Sequence, residues 1–130
     1  MRSLRAFAPA DAPTLAGFLR AEGISDDGMA FRDAPTFVLE EGGQVMGFVT
    51  LRMAHEIFPE LVHLVVAREH RVLPRVRFLA RALRRLVRDA GYPRLIVPAE
   101  TAPIRRLVEY YFRAFPYALD DHLAYYLVTV

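Results

Sequence analysis

Glu60 and His63 stand three positions apart in an otherwise apolar run, Glu-Leu-Val-His-Leu-Val-Val-Ala. Both side chains are of the type that takes a proton from a reacting group, so each is a candidate general base. Glu56 lies just before the run. Simpler readings stand beside these: a single histidine on an apolar strand is more often a hydrogen-bonded core residue, and a glutamate that opens a strand can sit at a solvated end. Strand alternation puts His63 on the opposite face from Glu60, Val62 and Leu64. The remaining histidines, His55, His70 and His122, are scattered without ligand spacing, so no metal site is expected. The chain has no cysteine, which excludes disulfides, thiolate metal sites and thiol nucleophiles.

The basic residues carry a second kind of chemistry. All 17 are arginine, with no lysine, and the net charge is only +2. Arg68, Arg71, Arg75, Arg77, Arg81, Arg84, Arg85 and Arg88 fall within one stretch that holds a single acid, Glu69. Arginine's planar fork suits phosphate oxygens. The distal members, Arg77, Arg81, Arg84, Arg85 and Arg88, read as the solvated face of a helix. A basic helical stripe also meets the electrostatic requirement for nucleic acid. No aromatic residue is interleaved on that face, which argues against a nucleic-acid partner held by stacking.

Alternating elements must position these groups. Residues 3–7 read as a first strand, followed by a helix begun at Asp11, whose carboxylate can cap the next turn, with Pro13 in the first turn and Gly23 as the stop. Residues 24–34 are ambiguous and allow a second short helix. Thr36–Glu41 and residues 44–53 form a hairpin across Gly42-Gly43. Residues 60–67 form a strand expected to be buried on both faces. After a polar segment, residues 76–90 give the strongest helix, apolar at Val76, Leu79, Ala80, Leu83, Leu86, Val87 and Ala90. A strand over Arg94–Pro98, a helix over 102–115 and a last strand over 122–130 complete the order. A strand–helix–strand unit in the middle requires parallel pairing, whereas the hairpin requires antiparallel pairing. The fold class is therefore α/β (α+β), a single-domain mixed β-sheet flanked by helices.

The totals agree. The 130 residues fit one domain over 1–130, and 54% hydrophobic with 25% charged residues is a globular profile. The N-terminus lacks the apolar segment of a secretory signal, and no run approaches the roughly 18 apolar residues of a membrane span. A cytoplasmic chain without membrane contact is expected.

The order and several local patterns resemble the GNAT family of N-acetyltransferases. Leu4-Arg5-Ala6 through Asp11-Ala12 to Leu15 is similar to its first strand and capped helix. Gly42-Gly43 with Gly47-Phe48-Val49 is similar to its second and third strands. Leu64-Val65-Val66 followed by Arg71 is similar to the fourth strand entering the acetyl-CoA loop. Gly91-Tyr92 with Leu95-Ile96-Val97 matches the fifth strand, and Ala114-Phe115 stands where the family shows Gly-Phe.

The resemblance implies acetyl-CoA as cosubstrate and a small-molecule or peptide amine as acceptor. It places the pantetheine arm on Leu64, Val65 and Val66, and the pyrophosphate on Arg71, Val72, Leu73, Pro74, Arg75 and Val76, before a helix N-terminus. In that loop Pro74 and Val76 occupy the family's glycine positions. Proline has no N–H to give, so Arg71, Arg75 and Arg77 are expected to replace amide contacts by charge. Tyr110, four residues before Ala114, takes the place of the family's acid, with Tyr111 beside it and aromatic packing as the plainer role. Glu60 or His63 is left for the base, unless a water relay needs neither. A family member with this altered loop acting as an interaction module for a protein partner is the alternative.

Overall fold

A computed structural model describes residues 2–23, 34–52, 58–70, 72–98, 115–118 and 124–129. The chain divides into two compact units. One comprises Met1–Leu51 with Val62–Leu79, and the other comprises Arg52–Leu61 with Ala80–Val130.

In the first unit β1 (Arg2–Ala6) pairs antiparallel with β2 (Thr36–Glu41), which pairs antiparallel with β3 (Gln44–Arg52). Gly42 and Gly43 make the turn with φ of 60° and 81°, a region open to glycine and strained for other residues. The register slips between Leu39 and Glu40: Leu39 faces Gly47, but Glu40 faces Val45, so Met46 is an extra residue on β3. Next in the sheet is β4 (Glu60–Val66). It binds the bulge directly, because the Ala67 amide donates to the Met46 carbonyl at 2.9 Å. Gly47 is needed there, since a Cβ at this position would run into the Val65 carbonyl.

Helix α1 (Ala12–Ala21) covers this sheet with Ala12, Leu15 and Leu19, which cluster with Val38, Phe48 and Val65. Asp11 does not cap α1. Its carboxylate turns back to accept the Ala8 amide at 2.8 Å and both terminal nitrogens of Arg5 at 2.9 and 3.0 Å. A two-pronged, charge-assisted contact outcompetes a single cap bond.

In the second unit β4 and β5 (Arg94–Pro98) run parallel, with Glu60 opposite Ile96, as the intervening helix requires. β5 pairs antiparallel with β7 (Ala124–Thr129), and β7 with β6 (Phe115–Ala118). The β6 strand is a correction to the sequence reading, which carried a helix through residue 115. The rest of that helix, and the second short helix, lie outside the described residues.

The connecting helix α2 runs Leu73–Asp89, three residues earlier than the apolar period suggested. Pro74 is its second residue, where an N–H has no helical acceptor and the fixed φ suits the first turn. Leu79, Ala80, Leu83 and Val87 are its buried stripe. Arg77, Arg81, Arg85 and Arg88 are exposed, as expected, but Arg84 is half-buried, and its Nε is buried without a partner among the described residues. Position 84 follows Leu83 on the boundary of the stripe, so only the end of its side chain reaches out.

Candidate functional site

β4 carries the candidate chemistry. Glu60 opens the strand and is buried, at 4% exposure, where a solvated strand end was the plainer expectation. Contacts on both sides fix this end of the strand. The Ile96 amide donates to the Pro59 carbonyl at 2.9 Å, fixing β5 against the start of β4. From β3, Arg52 Nη2 donates to Glu60 Oε2 at 2.8 Å. The pair is asymmetric, because the Arg52 side chain is 56% exposed and that of Glu60 only 5%. Burying a carboxylate requires such a partner.

His63 is half-buried, its ring edge-on to Phe48 with centroids 6.0 Å apart and planes at 64°. Alternation turns it away from Glu60, so the structure does not bring the two candidate bases together. The strand is not buried on both faces throughout: Val62, His63 and Leu64 are half-buried, while Val65 and Val66 are buried. The middle side chains of this central apolar strand are therefore half-open.

Beyond β4 the chain makes a 3₁₀ turn over Arg68–His70 and enters α2. Three amide donors of this segment are already used. His70 donates to Ala67 at 2.8 Å, Val72 to His70 at 2.8 Å and Arg75 to Val72 at 3.0 Å. Pro74 has none, while Leu73, the first helical residue, has an N–H without a helical acceptor. An anion there would meet charge more than amides. Arg75, the described arginine nearest the helix start, is engaged: its Nε donates to Glu41 Oε2 at 2.9 Å, and Arg2 Nε lies 3.4 Å from the same oxygen. Arg75, and then Arg2, hold the Glu41 carboxyl below its usual range. The described residues thus fit acetyl-CoA in part, with half-open side chains along β4 and a reduced amide cradle at the phosphate end. Arg71, Tyr110, Tyr111 and Glu56 lie outside the described residues.

Sequence reasoning missed Arg52 and Glu41. Part of the signal for Arg52 was present: it ends one strand and Glu60 opens the next, eight positions on. Among the described residues no group of three or more histidine, aspartate or glutamate side chains could hold a metal ion. No described helix is long and apolar enough to cross a membrane.

The sequence matches the acetyltransferase (GNAT) family over residues 5–118, and the chain belongs to that family. No curated protein matches it in sequence. Among solved structures it is similar to an N-acetyltransferase from Staphylococcus aureus Mu50, with 18% identity, a TM-score of 0.72, and 99% of this chain and 98% of that one covered. It is also similar to yncA of Salmonella typhimurium with its cofactor acetyl-CoA, at 16% identity and a TM-score of 0.68, covering 99% and 92%. A third is spermidine N-acetyltransferase of Vibrio cholerae, at 16% identity and a TM-score of 0.74, covering 99% and 92%. At these identities the likeness is one of fold.

Proposed function

We propose that the chain transfers an acetyl group from acetyl-CoA to a small-molecule or peptide amine, with Glu60 as general base. The observation that carries this reading is the carboxylate of Glu60, buried and ion-paired at the start of the half-open strand β4. A related fold occurs with acetyl-CoA in the Salmonella protein. The thioester supplies the acetyl group: its C–S bond breaks as the bond from the amine nitrogen to the acyl carbon forms. One proton leaves nitrogen for Glu60, directly or through water, and one reaches sulfur from Tyr110. Leu64, Val65 and Val66 line the arm with their backbone, and Arg71, Arg75 and the first turn of α2 from Val72 to Val76 meet the phosphates. His63, turned toward Phe48, is left to packing.

The test is acetyl-CoA titration by calorimetry together with thiol release over a panel of amines. Binding should also raise thermal stability, by about 2.7 kcal/mol at a hundredfold excess over Kd. Absence of acetyl-CoA binding at low salt overturns the reading.

A further inference from the structure

We propose that the outer face of α2 docks the phosphate backbone of a nucleic-acid duplex. This goes beyond acetyl transfer and does not depend on it. Arg77, Arg81, Arg85 and Arg88 are exposed there, with Arg84 half-buried at their edge. At 3.6 residues per turn the five lie within about 100° of the helix circumference and along about 16 Å of its axis. Residues 73–88 hold no acid, and Asp89 is the last residue of the helix. The arginine-only composition explains why these bases are not lysine. It does not explain the missing acids, since the chain carries 15 of them against 17 bases. Elsewhere the acids are used: Arg2, Arg5, Arg52, Arg68 and Arg75 each lie within 3.7 Å of a carboxylate oxygen. Among the described residues none of the five arginines on α2 has such a partner. Like charges three and four positions apart repel along a helix. The row is a standing excess of positive charge that a polyanion would relieve.

Each kind of polyanion makes a different demand. A membrane surface takes up the apolar face of an interfacial helix, but the apolar residues of α2, Leu79, Ala80, Leu83 and Val87, are buried in the protein. A protein interface is built on an apolar core depleted of charge, and single-stranded nucleic acid is held by aromatic stacking. Neither finds its anchor here, because the sole large apolar side chain exposed among the described residues is Val72, ahead of the helix. A duplex held by its phosphates asks only for a rigid row of cations, since it offers one negative charge per about 1.7 Å of its axis. The guanidinium forks meet phosphate oxygens and read no bases, so the binding is independent of sequence.

The test is fluorescence anisotropy of two DNA duplexes of unrelated sequence, titrated with the protein from low to physiological salt. Both should bind alike, with Kd of about 10⁻⁶–10⁻⁴ M at physiological salt. Log K should fall against log salt with a slope of about −4, about 0.9 for each of four or five phosphates met. Arg81→Gln with Arg85→Gln should reduce that slope by about 1.8. Arg20→Gln, at an exposed arginine of α1, should leave it unchanged. Circular dichroism checks the fold of each variant. If the double variant does not fold, Arg85→Gln and Arg88→Gln singly should each reduce the slope by about 0.9. Excess coenzyme A should leave the duplex bound. The proposal is overturned by no binding at low salt, a strong preference between the two duplexes, an unchanged slope in the glutamine variants, or release by coenzyme A. Tighter binding to single strands, to phosphatidylserine vesicles or to polyglutamate overturns it as well. Acetyl transfer stands or falls separately from all of these results.

Discussion

At the scale of single residues the chain uses carboxylates in two different ways. Glu60 is buried beside the Arg52 guanidinium, and the role proposed for it is proton transfer. Glu60→Gln keeps the shape and removes the basicity, so kcat should fall by about 10²- to 10⁴-fold while acetyl-CoA affinity by calorimetry stays within about twofold. An equal loss in both would show a structural role only. Asp11 is also buried but serves the fold. Arg5 holds its carboxyl below the usual range, aided by the Ala8 amide and opposed by burial. A depressed folded-state pKa means stability that is present above the unfolded value and lost as pH falls through the folded one. Urea titrations should therefore show stability declining below about pH 4, the ordinary aspartate range. In Asp11→Asn, stability at pH 7 should be lower by about 1.5–3 kcal/mol, with a shallower acid decline. The sequence showed both residues as candidates of a kind, Asp11 as a helix cap and Glu60 as a base, but not their partners. Arg5 and Arg52 lie on other strands, and local pattern carries no information about which guanidinium turns inward.

At the scale of elements, strand period and glycine punctuation made most of the fold legible. The Gly42-Gly43 hairpin, the parallel β4–β5 pair and the long helix between them follow from those signals. What was not legible depended on tertiary context. The start of α2 was hidden because Pro74 reads as loop until it is seen in a first helical turn, and β6 was hidden inside an apolar, aromatic stretch that also suits a helix. The register slip at Met46 left no mark beyond Gly47. Gly47→Ala should cost about 1–3 kcal/mol in thermal or urea unfolding, because the new methyl meets the Val65 backbone, which cannot rotate away. A cost near zero would mean that β3 and β4 separate more easily than their spacing implies. In α2, Leu83 is fully buried, and Leu83→Ala should cost about 2–5 kcal/mol. The exposed Arg85→Ala should stay within about 0.5 kcal/mol. Arg84 does not serve as a surface control, since its Nε is buried without a partner among the described residues. Equal costs at 83 and 85 would place the helix face wrongly.

At the scale of the whole molecule, the proposed acetyl-CoA binding asks how a chain of net charge +2 would hold a polyanion when Pro74 and three internal bonds take amides from its loop. The family fold supplies a helix N-terminus, and Pro74 together with the internal bonds of His70, Val72 and Arg75 takes four positions out of the donor set around it. Charge must then carry more of the affinity. Arg75 is not free to give it, because Glu41 holds it at 2.9 Å. A phosphate entering here competes with a carboxylate, and Arg2 remains to balance Glu41 once Arg75 moves away. Four results follow for acetyl-CoA calorimetry at low and physiological ionic strength. Wild-type affinity should fall steeply with salt, as screening over about 8 Å at physiological strength weakens exposed contacts. Arg75→Ala should weaken binding by about 1.5–3 kcal/mol. Glu41→Gln should strengthen it, because it releases Arg75 while keeping the side chain's size, and Pro74→Gly with Val76→Gly should strengthen it by restoring a donor and close approach. The sign at Glu41 is the sharpest of these. If Arg75 acts only as a strut between the strand and the helix, Glu41→Gln lowers stability and leaves affinity unchanged. If Arg75 reaches the phosphates, the same substitution raises affinity even as it loosens the fold.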